Sequence, residues 1–245
     1  MGMGMRMGMV KEKKFFSALS LQPKLEDHQL TNYTLDSSCG DMLNMKTRNP
    51  IMPFLLSQVE AGDTITLYLI SCEGNGEVRF TEKDEDTGEI KKLTKAAKDV
   101  SEMHRQNYES ELEQIKKEVG DFNSKVEVIP VVGLSNEVCH KLLRDIISKI
   151  NDHDVVFMDV TFGFKPVTII QFLALTYAYK LRKNVEIGAL SYGSLYGTAS
   201  PGAFLFNLTE FFLLCNTMNN MSDIPNADKF IDQLLDNMIG EDETK

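Results

Sequence analysis

The chain has 245 residues, 42% hydrophobic and 25% charged, enough for one large domain or a domain with a small appendage. Its net charge of −10 and pI near 5.0 argue against broad binding to duplex nucleic acid, which needs a surplus of Lys and Arg. They leave room for a small anion in a local positive pocket. Cys39, Cys72, Cys139 and Cys215 make no C-x-x-C pair, so neither a zinc site nor a disulfide framework is expected. A reducing cytoplasm is the default, and no apolar run reaches the ~20 residues that span a bilayer.

The Met-Gly alternation at Met1–Met9 lacks the apolar stretch of a signal peptide, and residues 1–12 are expected to be disordered. Lys14–Leu19 is the first strand candidate. Ser20–Pro53 is polar and broken by Pro23, Gly40, Pro50 and Pro53, so it reads mostly as loop. Phe54–Glu60 looks like a short helix, and Thr64–Ile70 is an apolar, β-branched strand. An acidic turn at Asp84–Gly88 precedes a charged helix from about Lys95 to Val119.

Val126–Val132 is the next strand. Ser135 then offers an N-cap for a helix over Asn136–Ile150, where Val138, Leu142, Ile146 and Ile150 share one stripe. Val155–Val160 reads as the most buried strand. Pro166 opens a helix to Leu181 that is apolar on nearly all sides and should lie deep. Val185–Leu190 is a fifth strand, and Phe204–Met218 and Ala227–Ile239 read as helices. Strands that alternate with helices, without in/out alternation, imply a parallel sheet covered on both faces.

In such sheets ligands sit beyond the carboxyl ends of the strands. There the chain reads Asp159-Val160-Thr161-Phe162-Gly163-Phe164-Lys165-Pro166 and runs straight into a helix. Gly163 permits close backbone approach. The helix N-terminus supplies N–H groups and a positive dipole end. Thr161 and Thr168 add hydroxyls and Lys165 a charge, so the set suits a phosphate. A bland reading stands beside this: Asp159 caps the next helix or ties down the turn, and Thr168 and Gln171 are ordinary helix residues.

The segment Asp159–Lys165 resembles the D-x-T-H-G-F-[RK] signature of CRISPR-associated proteins with a CARF domain. Gly188–Gly193 is similar to the strand ending in Tyr-Gly that follows in that family, and Asn207-Leu208-Thr209 resembles its next helix start. The likeness covers roughly residues 126–218 and reaches the N-terminal third only weakly. It implies an α/β Rossmann-like domain over residues 13–200, with a short helical extension at 201–245.

It further implies a homodimer that binds a cyclic oligoadenylate, the tetra- or hexa-adenylate ring, without metal or cofactor. A two-fold dimer presents one set of groups from each subunit to a symmetric ring. Carried over, Asp159, Thr161, Phe162, Gly163, Phe164, Lys165 and Thr168 line the ligand. The turn after the first strand, near Ser20 and Gln22, faces them, and Ser71–Glu73, a turn after the second strand, is a further candidate. Phe162 departs from the family's His; a phenyl ring stacks or packs but forms no hydrogen bond through a ring nitrogen.

No R-x(4–6)-H ribonuclease motif accompanies His28, His104, His140 or His153, and His140 reads as a surface residue. Gly74-Asn75-Gly76 lacks the third glycine of a dinucleotide fingerprint, since position 79 is Arg79. Three functions compete. One is a sensor that signals to an effector partner through the C-terminal helix. Another is a metal-independent ring nuclease in which Lys165, Thr161 and Ser20 orient the sugar and stabilise the developing charge. The last is an unrelated nucleotide- or phosphometabolite-binding enzyme.

Overall fold

A computed structural model describes residues 12–21, 31–35, 45–74, 76–83, 88–133, 135–195, 203–221 and 226–240. Two compact units divide at Asn207/Leu208. The first is built on a sheet whose central strands are β1 (Lys13–Ala18), β4 (Thr64–Gly74), β7 (Asn123–Val132), β8 (Val155–Asp159) and β9 (Glu186–Leu195). These five are parallel and lie in the order β9-β8-β1-β4-β7. Beyond β9 follow β10 (Ala203–Asn207), antiparallel to it, then β2 (Thr31–Leu35) and the two-residue β3 (Lys46–Thr47).

Phe15, Leu67, Phe157, Ala189 and Leu205 share one sheet face, and α1 (Met52–Gln58) and α2 (Ala97–Val119) cover it with Leu55, Tyr108, Leu112 and Ile115. Alternation along β1 turns Lys14 and Phe16 to the opposite face. There Lys14 meets the C-terminal end of α3 (Asn136–Lys149), beside which α4 (Lys165–Leu181) packs. Helices on both faces of a mostly parallel sheet make this an α/β Rossmann-like fold. Ser135 does cap α3, accepting from the Val138 N–H at 3.3 Å.

Several sequence expectations change. The segment read as loop from Ser20 contains β2 and β3, and Tyr33 of β2 is buried. Phe204–Asn207 is a strand rather than a helix start; β9 supplies an antiparallel partner that the apolar run alone does not reveal. Glu12, placed among the disordered residues, accepts from Thr66 Oγ1 at 2.6 Å and through its carbonyl from the Val155 N–H. Between β4 and α2 stands a hairpin of β5 (Glu77–Lys83) and β6 (Ile90–Ala96). Residues 84–87 of the acidic turn, and residues 1–11, lie outside the described residues. Nor is α4 buried all round: Ile169, Leu173, Tyr177 and Leu181, four residues apart, form an exposed apolar stripe.

Gly188 is required by packing. Val156 pairs with Ile187 but Phe157 with Ala189, so Gly188 is the extra residue of a bulge. A Cβ there would lie 2.3 Å from ring carbons of Phe157, which is buried and stacked on Phe15 at 4.4 Å. Gly188→Ala is therefore expected to destabilise the fold by about 1–3 kcal/mol through overpacking. Urea unfolding measures it; wild-type stability would mean that the Phe157 ring swings aside.

In the second unit, α5 (Thr209–Asn220) and α6 (Ala227–Gly240) are helical as expected, α5 beginning at Thr209. Among the described residues no helix is long and apolar enough to cross a membrane.

Candidate functional site

From β1 the chain moves to β4 on one side and later to β8 on the other, so the strand order reverses between β1 and β8. A crevice opens at such a reversal beyond the carboxyl ends of the strands. The turn Val160–Phe164 occupies this position. Gly163 has φ +94°, a conformation that favours glycine. A Cβ at Gly163 would meet the Ala18 Cβ at 3.0 Å and the Cys72 Sγ at 3.6 Å. The turn therefore lies against the ends of both β1 and β4.

Phe164 is the N-cap of α4, without a side-chain cap, and Pro166 fills the first turn. Val167 N–H donates to the Phe164 carbonyl at 2.8 Å. The Phe164 N–H is aimed at the Cys72 thiol; burial raises this thiol's pKa and that N–H opposes the rise. Lys165 is exposed at the start of the helix, and no ion pair joins it to another described residue. Phe162, Phe164 and Thr168 are half-buried around it.

Beneath the turn lies a fully buried carboxylate. Asp159 stands in one cross-strand row with Ser17 of β1 and Ser191 of β9. Its Oδ2 accepts from Ser17 Oγ at 2.9 Å. Its Oδ1 accepts from the Thr161 N–H at 3.2 Å, from Thr161 Oγ1 at 2.5 Å and, at the limit of 3.5 Å, from Ser191 Oγ. Ser17 Oγ also shares a hydrogen bond with Tyr108 of α2. Burial pushes the Asp159 pKa up to about 6 despite these donors. Burial, and then the Asp159 charge, raise the Tyr108 and Tyr33 phenols as well.

Hydroxyls that looked available in the sequence are thus committed. A threonine hydroxyl has one proton to give; Thr161 gives it to Asp159 and accepts the Gly193 N–H at 2.7 Å. Asp159 is the tie beneath the turn and has no exposure to a ligand. Ser71–Glu73 is not a turn but part of β4, which pairs with β7 as far as Gly74. The Ser71 hydroxyl is buried between Ser101 and Glu73. Ser20 is buried at the end of β1, where the neighbouring Leu19 N–H donates to the Ile70 carbonyl. Gln22 lies outside the described residues. His140 is exposed on α3. Among the described residues no group of three or more His, Cys, Asp or Glu is placed to hold a metal ion.

Sequence reading missed Tyr108 and Glu111. Buried Glu111 accepts from Thr47 Oγ1 at 2.6 Å, Asn49 Nδ2 at 3.0 Å and the Arg48 N–H at 3.2 Å, and so fastens α2 to the end of β3 and the two residues that follow it. Burial raises its pKa, with the hydrogen bonds from Thr47 and Asn49 opposing. The signal was present: Tyr108, Glu111, Leu112 and Ile115 recur at helical spacing, and a carboxylate on that stripe demands buried donors. Compared with protein-family models and with curated proteins, the chain matches none.

Proposed function

We propose that the chain is a homodimeric sensor of the CARF type, which binds a cyclic oligoadenylate in antiviral defence in the cytoplasm. The observation that supports this most is the left-handed Gly163 turn at the strand-order reversal, with Lys165 exposed at the N-terminus of α4. Backbone N–H groups and an ammonium at a helix start suit a phosphodiester. In this reading Gly163 and Lys165 hold the phosphate, and half-buried Phe162 and Phe164 stack on adenine.

The dimer draws support from the exposed stripe of α4. It begins at Ile169, one helical turn past Lys165, so a second copy packed on it stands next to the turn. Burying Ile169, Leu173, Tyr177 and Leu181 from both copies would contribute through apolar area removed from water. An effector contact through α6 is in keeping with Phe230, which is half exposed.

The test is equilibrium binding of labelled cyclic tetra- and hexa-adenylate in EDTA, with the ring recovered and analysed. Binding with an intact ring is the expected result. Linear products would replace the sensor with a ring nuclease, and failure to bind either ring would remove the reading. Lys165→Ala is expected to weaken binding by about 10- to 150-fold, the loss of one charge-assisted hydrogen bond. Unchanged affinity in that variant would exclude the proposed phosphate contact.

A further inference from the structure

Where β8 stops, its hydrogen-bond ladder with β9 does not. Asp159 pairs with Ser191, and the Val160 N–H donates to the Ser191 carbonyl at 2.9 Å. The next donor on β9 is the Gly193 N–H. In a continuing parallel ladder it would meet a main-chain carbonyl. Here the main chain has turned away toward Gly163, and Thr161 Oγ1 takes that place at 2.7 Å. The same hydroxyl donates to Asp159, which fixes the direction of its proton and leaves a lone pair for Gly193. Asp159 is itself held by Ser17, and Gly193 is closely packed: a Cβ there would lie 2.7 Å from the Pro50 ring.

We propose that Thr161 is a positioning residue, whose hydroxyl, oriented by Asp159, splices the ligand turn to β9 and fixes the backbone that Gly163 and Lys165 present. The role of that turn in holding a ligand rests on the reading above. Thr161 itself does not touch the ring: its proton is spent on Asp159, and a ligand oxygen would have to displace that carboxylate.

The experiment pairs amide exchange with ring binding in full-length wild type, Thr161→Val and Thr161→Ser. Valine keeps the shape and removes both hydrogen bonds; serine restores the hydroxyl. In Thr161→Val the Gly193 amide should exchange at least about tenfold faster, and ring affinity should fall by about the same factor, one hydrogen bond's worth. Thr161→Ser should return both to within about threefold of wild type, a hydroxyl being able to adopt either role. Unchanged Gly193 exchange with lost affinity would make Thr161 a direct ligand contact and overturn the proposal. Faster exchange with unchanged affinity would overturn it too, by uncoupling the splice from the site. Should Thr161→Val not fold, the serine variant decides: loss of Gly193 protection there sinks the splice. If wild type binds neither ring, the functional reading fails alone, because the Gly193 exchange rates still test the splice in the same samples.

Discussion

Replacing Lys14 by methionine is expected to cost about 3–5 kcal/mol of stability, the range for removing one partner of a buried ion pair. The Lys14 side chain is 3% exposed and Asp154 6%. The ammonium reaches Asp154 Oδ2 at 2.9 Å, the carbonyl of Lys149 at 2.7 Å and Glu12 at 3.5 Å. Methionine keeps the volume of the stem but leaves the Asp154 carboxylate buried without its cation. Asp154 then retains the Asn151 N–H as a donor. The double variant Lys14→Met with Asp154→Asn should recover part of the loss, since the stranded charge goes as well. Urea unfolding of the three proteins tests this; a single variant as stable as wild type would show that Asp154 escapes to water. The pair sits at the amino end of β1, away from the Gly163 turn, so the binding proposed for that turn should be untouched in the folded fraction.

The second large effect concerns Asp159 and its dependence on pH. Its carboxyl titrates at about 6 in the fold, above an ordinary 3.8. Between these values the folded chain holds a proton that the unfolded chain has released. Stability from this group is therefore complete below about pH 4 and lost as pH rises through 6, in total about 3 kcal/mol. Asp159→Asn removes the titration. Its carbonyl can still accept from Thr161, and its amide can donate to Ser17, which then donates to Tyr108. Relative to wild type, the variant should lose this fall in stability between pH 4 and 7. The check is a set of urea midpoints across that range. The same slope in both proteins would mean that Asp159 remains ionised throughout.

Those two residues illustrate what a sequence makes legible. The run Val155–Asp159 and the glycine turn before an apolar helix announced themselves, because apolar strands and helix starts leave local patterns. β1, β4, α3 with its Ser135 cap, and α4 were readable for the same reason. The hairpin of β5 and β6 was not. Most of its side chains are exposed or half-buried: EVRFTEK offers only the short alternation of Val78 and Phe80, and IKKLTKA has no period-two apolar face to betray a strand. Phe204–Asn207 failed differently: a short apolar run next to a helix acquires its strand character from β9. Within the site, residue type told which groups bear donors but not which neighbour claims them. Thr161 and Ser71 read as free hydroxyls until Asp159, Ser101 and Glu73 were seen beside them. The exposed stripe of α4 was hidden by its very apolarity, which reads as depth in a single chain.

Antiparallel β10 runs back down only the upper half of β9, from Ala203 opposite Leu195 to Asn207 opposite Ser191. Ser191 in turn lies opposite Asp159. The tether to the second unit thus leaves the sheet level with the carboxylate under the turn, two strand spacings away, or roughly 10 Å. A displacement of that turn therefore has only two neighbouring strands to cross, sideways through the sheet, before it arrives at Asn207, the last residue of the first unit.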